Sequence, residues 1–196
     1  MYRTRNFFPD YRYTHNFIDL WSIDEILILD ISRGINFADP KKNKFLNVLK
    51  NLSKSSFVPF SVGGHIKKLS EIETLLKNGA DKIVLNTIAY ESANFIKEAA
   101  NEFGSSCIVV SVDAKLNNNQ NYDLYSNCGS KKEKIDFKEH MKIIQDMGAG
   151  EIFLQSIDND GTLEGFDLNL INFIKDQIHV PFLISSGAGS WKHFLD

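Results

Sequence analysis

The chain has 196 residues, of which 43% are hydrophobic and 24% charged, and carries a net charge of −3. A chain of that size and balance makes one soluble domain with a substantial core, which excludes global disorder. The acidic balance lacks the electrostatic footprint of a nucleic-acid binder and points instead to a small anionic metabolite. Cys107 and Cys128 are too few and too unpatterned for a disulfide framework or a zinc site. No apolar run is long enough for a membrane span, and Met1 to Pro9 lacks the apolar segment of a secretory leader. A cytoplasmic protein with no membrane contact is expected.

Residues 1–23 are the least regular stretch, with Arg5 to Phe8 the candidate for a short first strand. A second strand is expected over Glu25–Ile31, followed by a helix whose Phe45, Val48, Leu49 and Leu52 form one apolar stripe. Val58–Val62 reads as the third strand and ends in Gly63-Gly64-His65, where missing side chains let a ligand approach the backbone. Ser70 and Glu73 form a capping box for the next helix, which stops at Asn78-Gly79. The fourth strand is Ile83–Asn86, and Ile96, Ala99, Ala100 and Phe103 mark the helix after it.

Ile108–Ala114 is the fifth strand and delivers Asp113 to its end. The Asn-rich run from Leu116 to Asn121 and the following Tyr122–Tyr125 suggest a small hairpin, and Lys131 to Lys134 a solvated turn. A helix from Asp136 leads to the sixth strand, in Gly150–Thr162, a short apolar run feeding an Asp- and Gly-rich tip. A further helix holds Leu170, Phe173 and Ile174, and Val180–Ile184 is the seventh strand, ending in Ser185-Ser186-Gly187-Ala188-Gly189.

Strands joined by helices must run parallel with right-handed crossovers. The pattern also repeats: Val58-Pro59-Phe60 returns as Val180-Pro181-Phe182, and Asp24-Glu25-Ile26 as Gly150-Glu151-Ile152. The expected fold is therefore an α/β (β/α)₈ TIM barrel made of two half-barrel repeats, with chemistry at the carboxyl ends of the strands. The second copy stops inside the helix after its third-strand equivalent, so residues 1–196 are expected to form a single barrel domain of about seven strands, lacking the last strand-helix unit.

Glycine-bearing strand tips present backbone N–H groups that hold dianions. Two such sites, Gly64 with Asn86 and Thr87, and Asp160-Gly161 with Gly187, would suit a bisphosphorylated substrate. Asp113 is the candidate proton-transfer carboxylate, since burial raises a carboxyl group's affinity for protons. Asp30 and Ser185, at other strand tips, are expected to contact substrate. At the opposite strand ends Glu25, Lys82 and Glu151, with Arg5 from the first strand, are candidates for a ring of paired charges. No His/Asp spacing fits a metal, and neither metal nor cofactor is expected.

These motifs together resemble the cyclase subunit (HisF) of imidazole glycerol phosphate synthase, the (β/α)₈ partner of a glutamine amidotransferase in histidine biosynthesis. The resemblance covers residues 24–196 and rests on Val62-Gly63-Gly64, Gly79-Ala80-Asp81-Lys82, Asn86-Thr87, Val112-Asp113-Ala114-Lys115, Gly148-Ala149-Gly150-Glu151-Ile152, Ser156-Ile157-Asp158, Asp160-Gly161-Thr162 and Gly187-Ala188-Gly189. It implies a lyase that takes ammonia from a HisH-type glutaminase at the amino-terminal face, through a gate of Arg5, Glu25, Lys82 and Glu151. It implies that Asp113 is one of two catalytic aspartates. The glycine sites would hold a ribulosyl-formimino-aminoimidazole ribonucleotide on its way to imidazole glycerol phosphate.

The sequence also departs from the family pattern. The only candidate for the other catalytic aspartate is Asp10, the third glycine of the strand-three turn is His65, and Ser186 replaces a glycine. The reworked first strand and the approach Ser22–Asp30 resemble a branch of the family found with surface-polysaccharide genes, where the ammonia would amidate a sugar. A third reading is a catalytically degenerate barrel that activates a glutaminase.

Overall fold

The computed structural model describes residues 24–32, 37, 42–56 and 58–195. They fall into two compact units, divided between Leu85 and Asn86. The expected first strand, with Arg5 and Asp10, lies outside the described residues.

In the first unit β1 (Ile26–Leu29), β2 (Phe60–Gly63) and β3 (Lys82–Leu85) alternate with α1 (Lys42–Ser55) and α2 (Leu69–Lys77). The strands pair in parallel, Ile26 opposite Phe60 and Ser61 opposite Lys82, as helix crossovers require. Their core is Phe60, Val62, Ile83 and Leu85, closed by Leu49 and Leu52 of α1 and Ile72 and Leu75 of α2, all buried. Half of the helix stripe expected around Phe45 is thus in the core, while Phe45 and Val48 themselves are half-buried.

Two local details differ from expectation. The carboxylate that turns back at the start of α2 is Glu71, which accepts the N–H groups of Lys67 at 2.6 Å and Lys68 at 2.9 Å. The helix starts two residues earlier than a Ser70 cap allows, which puts Ser70 in the first turn and leaves Glu73 to pair with Lys77 at 2.5 Å. The strand bounds also shift by one or two residues, and β2 begins at Phe60 although Pro59 O already accepts Ile26 N–H at 3.0 Å.

The second unit opens with α3 (Thr87–Glu91) and α4 (Ala93–Phe103), two helices where one was expected, and continues into β4 (Ile108–Leu116). Residues 108–114 of β4 are buried without interruption. β4 pairs in parallel with β7 (Glu151–Ser156), Asp113 opposite Gln155. β7 pairs in parallel with β8 (Phe182–Ser185), Gln155 opposite Ser185. Between β4 and β7 lie β5 (Tyr122–Ser126), β6 (Lys131–Lys132) and α5 (Phe137–Asp146); α6 (Leu168–Ile174) joins β7 to β8.

The expected hairpin is present: β5 runs antiparallel to β4, Asp113 opposite Tyr125. The solvated turn expected at Lys131–Lys134 is not a turn. Lys131 and Lys132 pair with Ser126 and Tyr125 as a third, short strand, because their charges find partners on the hairpin: Lys132 meets Asp123 at 2.5 Å, and Lys131 meets Glu133 at 3.0 Å. α5 is capped by Asp136, whose Oδ1 accepts Lys138 N–H at 2.9 Å and Glu139 N–H at 3.2 Å.

Asp167 caps α6 and gathers more than the cap. It accepts Leu170 N–H at 3.0 Å, the Tyr122 hydroxyl at 2.9 Å and the Ser156 hydroxyl at 3.1 Å. Tyr122 also packs with Phe137 and Phe173 at ring-centre distances of 6.5 and 5.5 Å, so the hairpin is fastened to α5 and α6. Among the described strands β8 has β7 as its neighbour, and Phe182 and Leu183 on it remain 36% and 47% exposed. The segment after it, Trp191–Phe194, is a single 3₁₀ turn. The described chain is α/β with parallel strands.

Candidate functional site

In the first unit the strand tips place Asp30, Gly64 and His65 together. Asp30 N–H donates to Gly63 O at 2.9 Å, continuing the β1–β2 ladder one residue past the strand. Its carboxylate accepts Ser32 N–H at 3.1 Å and faces His65 Nε2 at 3.8 Å. Gly64, at φ +115, lies so close to Asp30 that a Cβ would run into the Asp30 carbonyl oxygen, so no other residue fits there.

At the opposite ends Glu25 meets Lys82 at 2.9 Å and accepts the Ser61 hydroxyl. Ser61 stands between β1 and β3, opposite Leu27 on one side and Lys82 on the other. The parallel register therefore forms the pair, and each partner's side chain is 25% exposed. Glu151 opens β7 in the other unit and is 9% exposed. Arg5, the fourth expected gate residue, and Asp10, the second expected catalytic aspartate, lie outside the described residues.

In the second unit Asp113 is 6% exposed and accepts the Ser111 hydroxyl at 3.1 Å. The two sit on one face of β4, two residues apart. Asn86 Nδ2 donates to Ser111 O at 3.1 Å, which brings the Asn86-Thr87 turn to the same strand. The Thr87 hydroxyl faces Asn86 Oδ1 at 3.5 Å and accepts Asn127 N–H at 3.1 Å, so the hairpin tip reaches over this turn.

The turn around Asp160-Gly161 and the turn holding Gly187 also come together. Gly161 has φ +73 and Gly187 φ +91. Gly187 O accepts Gly165 N–H at 2.8 Å, and Gly165 O accepts Asn159 Nδ2 at 3.0 Å, so the turn around Asp160-Gly161 and the turn after β8 share one hydrogen-bonded seam. Asp158 turns elsewhere, accepting Leu116 N–H at 2.9 Å. Ser185 is half-buried opposite Gln155, and Ser186 follows it at φ +86 with an enclosed hydroxyl.

Behind Asp113 lies a pair with no sequence signal. Tyr90 of α3 and His140 of α5 stack with ring centres 4.1 Å apart and planes 10° apart. Burial pushes the Tyr90 hydroxyl well above its usual range, helped by the negative charges of Asp113 and Glu133. Burial pushes the His140 imidazole down to about 4, against the pull of Glu133. Desolvation alone would raise Glu133, yet the Ser126 hydroxyl and Lys131 hold it below its ordinary value. Only spatial proximity relates Tyr90 to His140, and nothing in their separation along the chain announces it.

An open polar groove of about 510 Å³ lies along the hairpin, lined by Lys115, Asn117, Asp123, Tyr125 and Lys132 among others, and includes none of the expected site residues. Among the described residues no three His, Cys, Asp or Glu side chains are arranged to hold a metal, and no helix is long and apolar enough to cross a membrane.

A buried carboxylate at a strand tip, flanked by turns that present backbone N–H groups, can bind an anion and move a proton beside it. The comparison with known families gives this arrangement a lineage. The family described as Histidine biosynthesis protein matches residues 12–196. The chain belongs to that family. Three relatives carry the name imidazole glycerol phosphate synthase subunit HisF. That of Hydrogenobaculum sp. (strain Y04AAS1) is 39% identical over 173 residues, spanning 88% of this chain and 67% of its own. That of Thermococcus onnurineus (strain NA1) is 40% identical over 174 residues, spanning 89% and 67%. That of Prochlorococcus marinus (strain MIT 9211) is 38% identical over 188 residues, spanning 95% and 69%. The expected resemblance to this family holds, and the relatives' names favour the histidine pathway over sugar amidation.

Proposed function

We propose that the chain is the cyclase subunit of an imidazole glycerol phosphate synthase, a lyase on a (β/α)₈-type domain that works beside a HisH-type glutaminase. The observation that carries the proposal is the burial of Asp113 near the end of the parallel β4–β7 ladder, with the Asn86-Thr87 turn tied to the same strand. One phosphate of the substrate would lie on the N–H groups of the Gly64 and Asn86-Thr87 turns, and the other on the Gly161 and Gly187 turns. Asp113, Asp30 and Ser185 would contact the part of the substrate between its phosphates. Asp113 takes and returns the protons that ring closure and cleavage require, and its burial excludes competing water.

Ammonia is the co-substrate, supplied by the glutaminase at the opposite strand ends. Glu25 and Lys82 form a hydrogen-bonded pair, and Glu151 and Arg5 would be the further members of the gate. A neutral small molecule passes such a pair when the ion pair opens, whereas ions meet a charge of each sign.

The test is ammonia-supported formation of imidazole glycerol phosphate from the ribonucleotide, before and after Asp113→Asn. A carboxylate that transfers protons contributes about 10²–10⁴-fold, so turnover should fall by at least about a hundredfold. The fold should persist, because the amide still accepts from Ser111. Unchanged turnover removes Asp113 from the mechanism.

A further inference from the structure

Gln155 is a polar residue that the packing of β7 does not ask for. It is 5% exposed and follows Leu154, which is wholly buried. Successive strand residues point to opposite faces, and the next residue, Ser156, takes the helix side. There its hydroxyl meets Asp167 of the α6 cap at 3.1 Å and Asn159 at 3.3 Å. Gln155 therefore takes the other face. The register fixes its neighbours on that face, with Asp113 opposite on β4 and Ser185 opposite on β8. Phe153, two residues earlier on the same face and 8% exposed, supplies an apolar floor beside the amide.

The Gln155 amide makes no hydrogen bond with any other residue among those described, although its burial is nearly complete. Buried polar groups in folded proteins are almost always paired, so an unpaired amide here points to a partner outside the chain. The internal repeat supplies a comparison. Asn78–Thr87 matches Met147–Ser156 in pattern, which sets Asn86 against Gln155. Asn86 uses its amide to hold the fold, Nδ2 donating to Ser111 O at 3.1 Å. Gln155 keeps the amide at the same place in the repeat, one methylene further out, and ties no strand to the next.

We infer that Gln155 is a substrate-binding residue: set between Asp113 and Ser185, its amide pairs with a planar nitrogen group of the substrate and presents that group to Asp113. An amide offers an acceptor and two donors in one plane. Its complement carries an N–H and a bare nitrogen close together, as an amidine or an azole ring does, and the formimino-amino unit of the proposed substrate is an amidine. This role rests on the reading of the strand tips as the substrate site. It adds to that reading the residue that selects for nitrogen chemistry, since phosphate-binding turns and a carboxylate would serve many sugar phosphates equally.

The test compares the wild type with Gln155→Met in the full chain, by thermal melting and by ammonia-supported turnover. Methionine has nearly the same length and leaves no amide to desolvate, so the melting temperature of Q155M should stay level or rise. Its KM for the ribonucleotide should rise about tenfold while kcat stays within about threefold, as for a lost binding contact. A wild-type KM in Q155M would overturn the inference. So would a lower melting temperature, which would give the amide a partner within the chain. A wild-type chain with no ammonia-supported turnover would defeat the proposed function instead. The amide is then still decided by NMR, with imidazole as the probe, at about pH 8 where the ring is neutral and has one N–H and one bare nitrogen. The Gln155 side-chain amide resonances, assigned by their loss in Q155M, should shift as imidazole is added, and resonances that stay in place would overturn the inference.

Discussion

Acidification should weaken the fold through one residue. His140 is 1% exposed and stacked on Tyr90, and burial lowers its pKa from 6.5 to about 4. Between those values the unfolded chain binds a proton that the folded chain refuses, so stability falls as pH drops from about 6.5 and levels off below about 4. At ~1.36 kcal/mol per unit the full loss is about 3 kcal/mol, and roughly 2 kcal/mol of it falls between pH 7 and pH 5. Glu133 does not compete in that interval. Its pKa is lowered, so the stability it contributes is lost only at more acidic pH. Urea unfolding at pH 7 and pH 5, for the wild type and for His140→Phe, isolates the effect, because phenylalanine keeps a ring against Tyr90 and the other four histidines cancel in the difference. The wild type should lose about 2 kcal/mol more than the variant. Equal losses would refute the buried neutral imidazole as the cause.

Three further perturbations follow from single contacts. Gly187→Ala places a methyl group against the Gly165 carbonyl oxygen at φ +91, and should cost about 1–3 kcal/mol in thermal melting; an unchanged melting curve would mean the seam between the two turns is not as drawn. Tyr122→Phe removes the hydroxyl that donates to Asp167 at 2.9 Å. Asp167 keeps the Leu170 N–H and the Ser156 hydroxyl, so the loss should be about 1 kcal/mol by urea unfolding. Lys82→Met breaks a pair whose members are each 25% exposed, and stability should change by less than about 1 kcal/mol. If the pair gates ammonia, turnover with glutamine and the glutaminase changes relative to turnover with free ammonia; an equal change in both would count against a gate.

Regular features were legible because each carries its own local signal. Asp136 before an apolar stripe gave the start of α5, and the Asn-rich run after Leu116 gave the hairpin. The tip of β7 followed from where apolar residues stop, whereas β4 runs on past Ala114 to Leu116 as an arm of the hairpin. What was missed depends on which of several equivalent groups reaches a partner. Glu71 rather than Glu73 turns back on α2, because the helix begins two residues sooner. Lys131 and Lys132 look like any exposed basic pair until the hairpin offers Asp123 and Glu133. Thr87 was read as an anion ligand, and its hydroxyl also holds the hairpin through Asn127. The Tyr90–His140 stack joins two helices through space, and periodicity along one helix cannot express it.

Among the described residues no second strand lies beside β8, and that has a consequence at the bench. A row of main-chain donors and acceptors beside Phe182 and Leu183 is a template on which another extended segment can lie. Concentrated samples of this polypeptide will gather into larger particles unless something occupies that flank, and dilution, rather than added salt, is the remedy for a contact made of oil and amide.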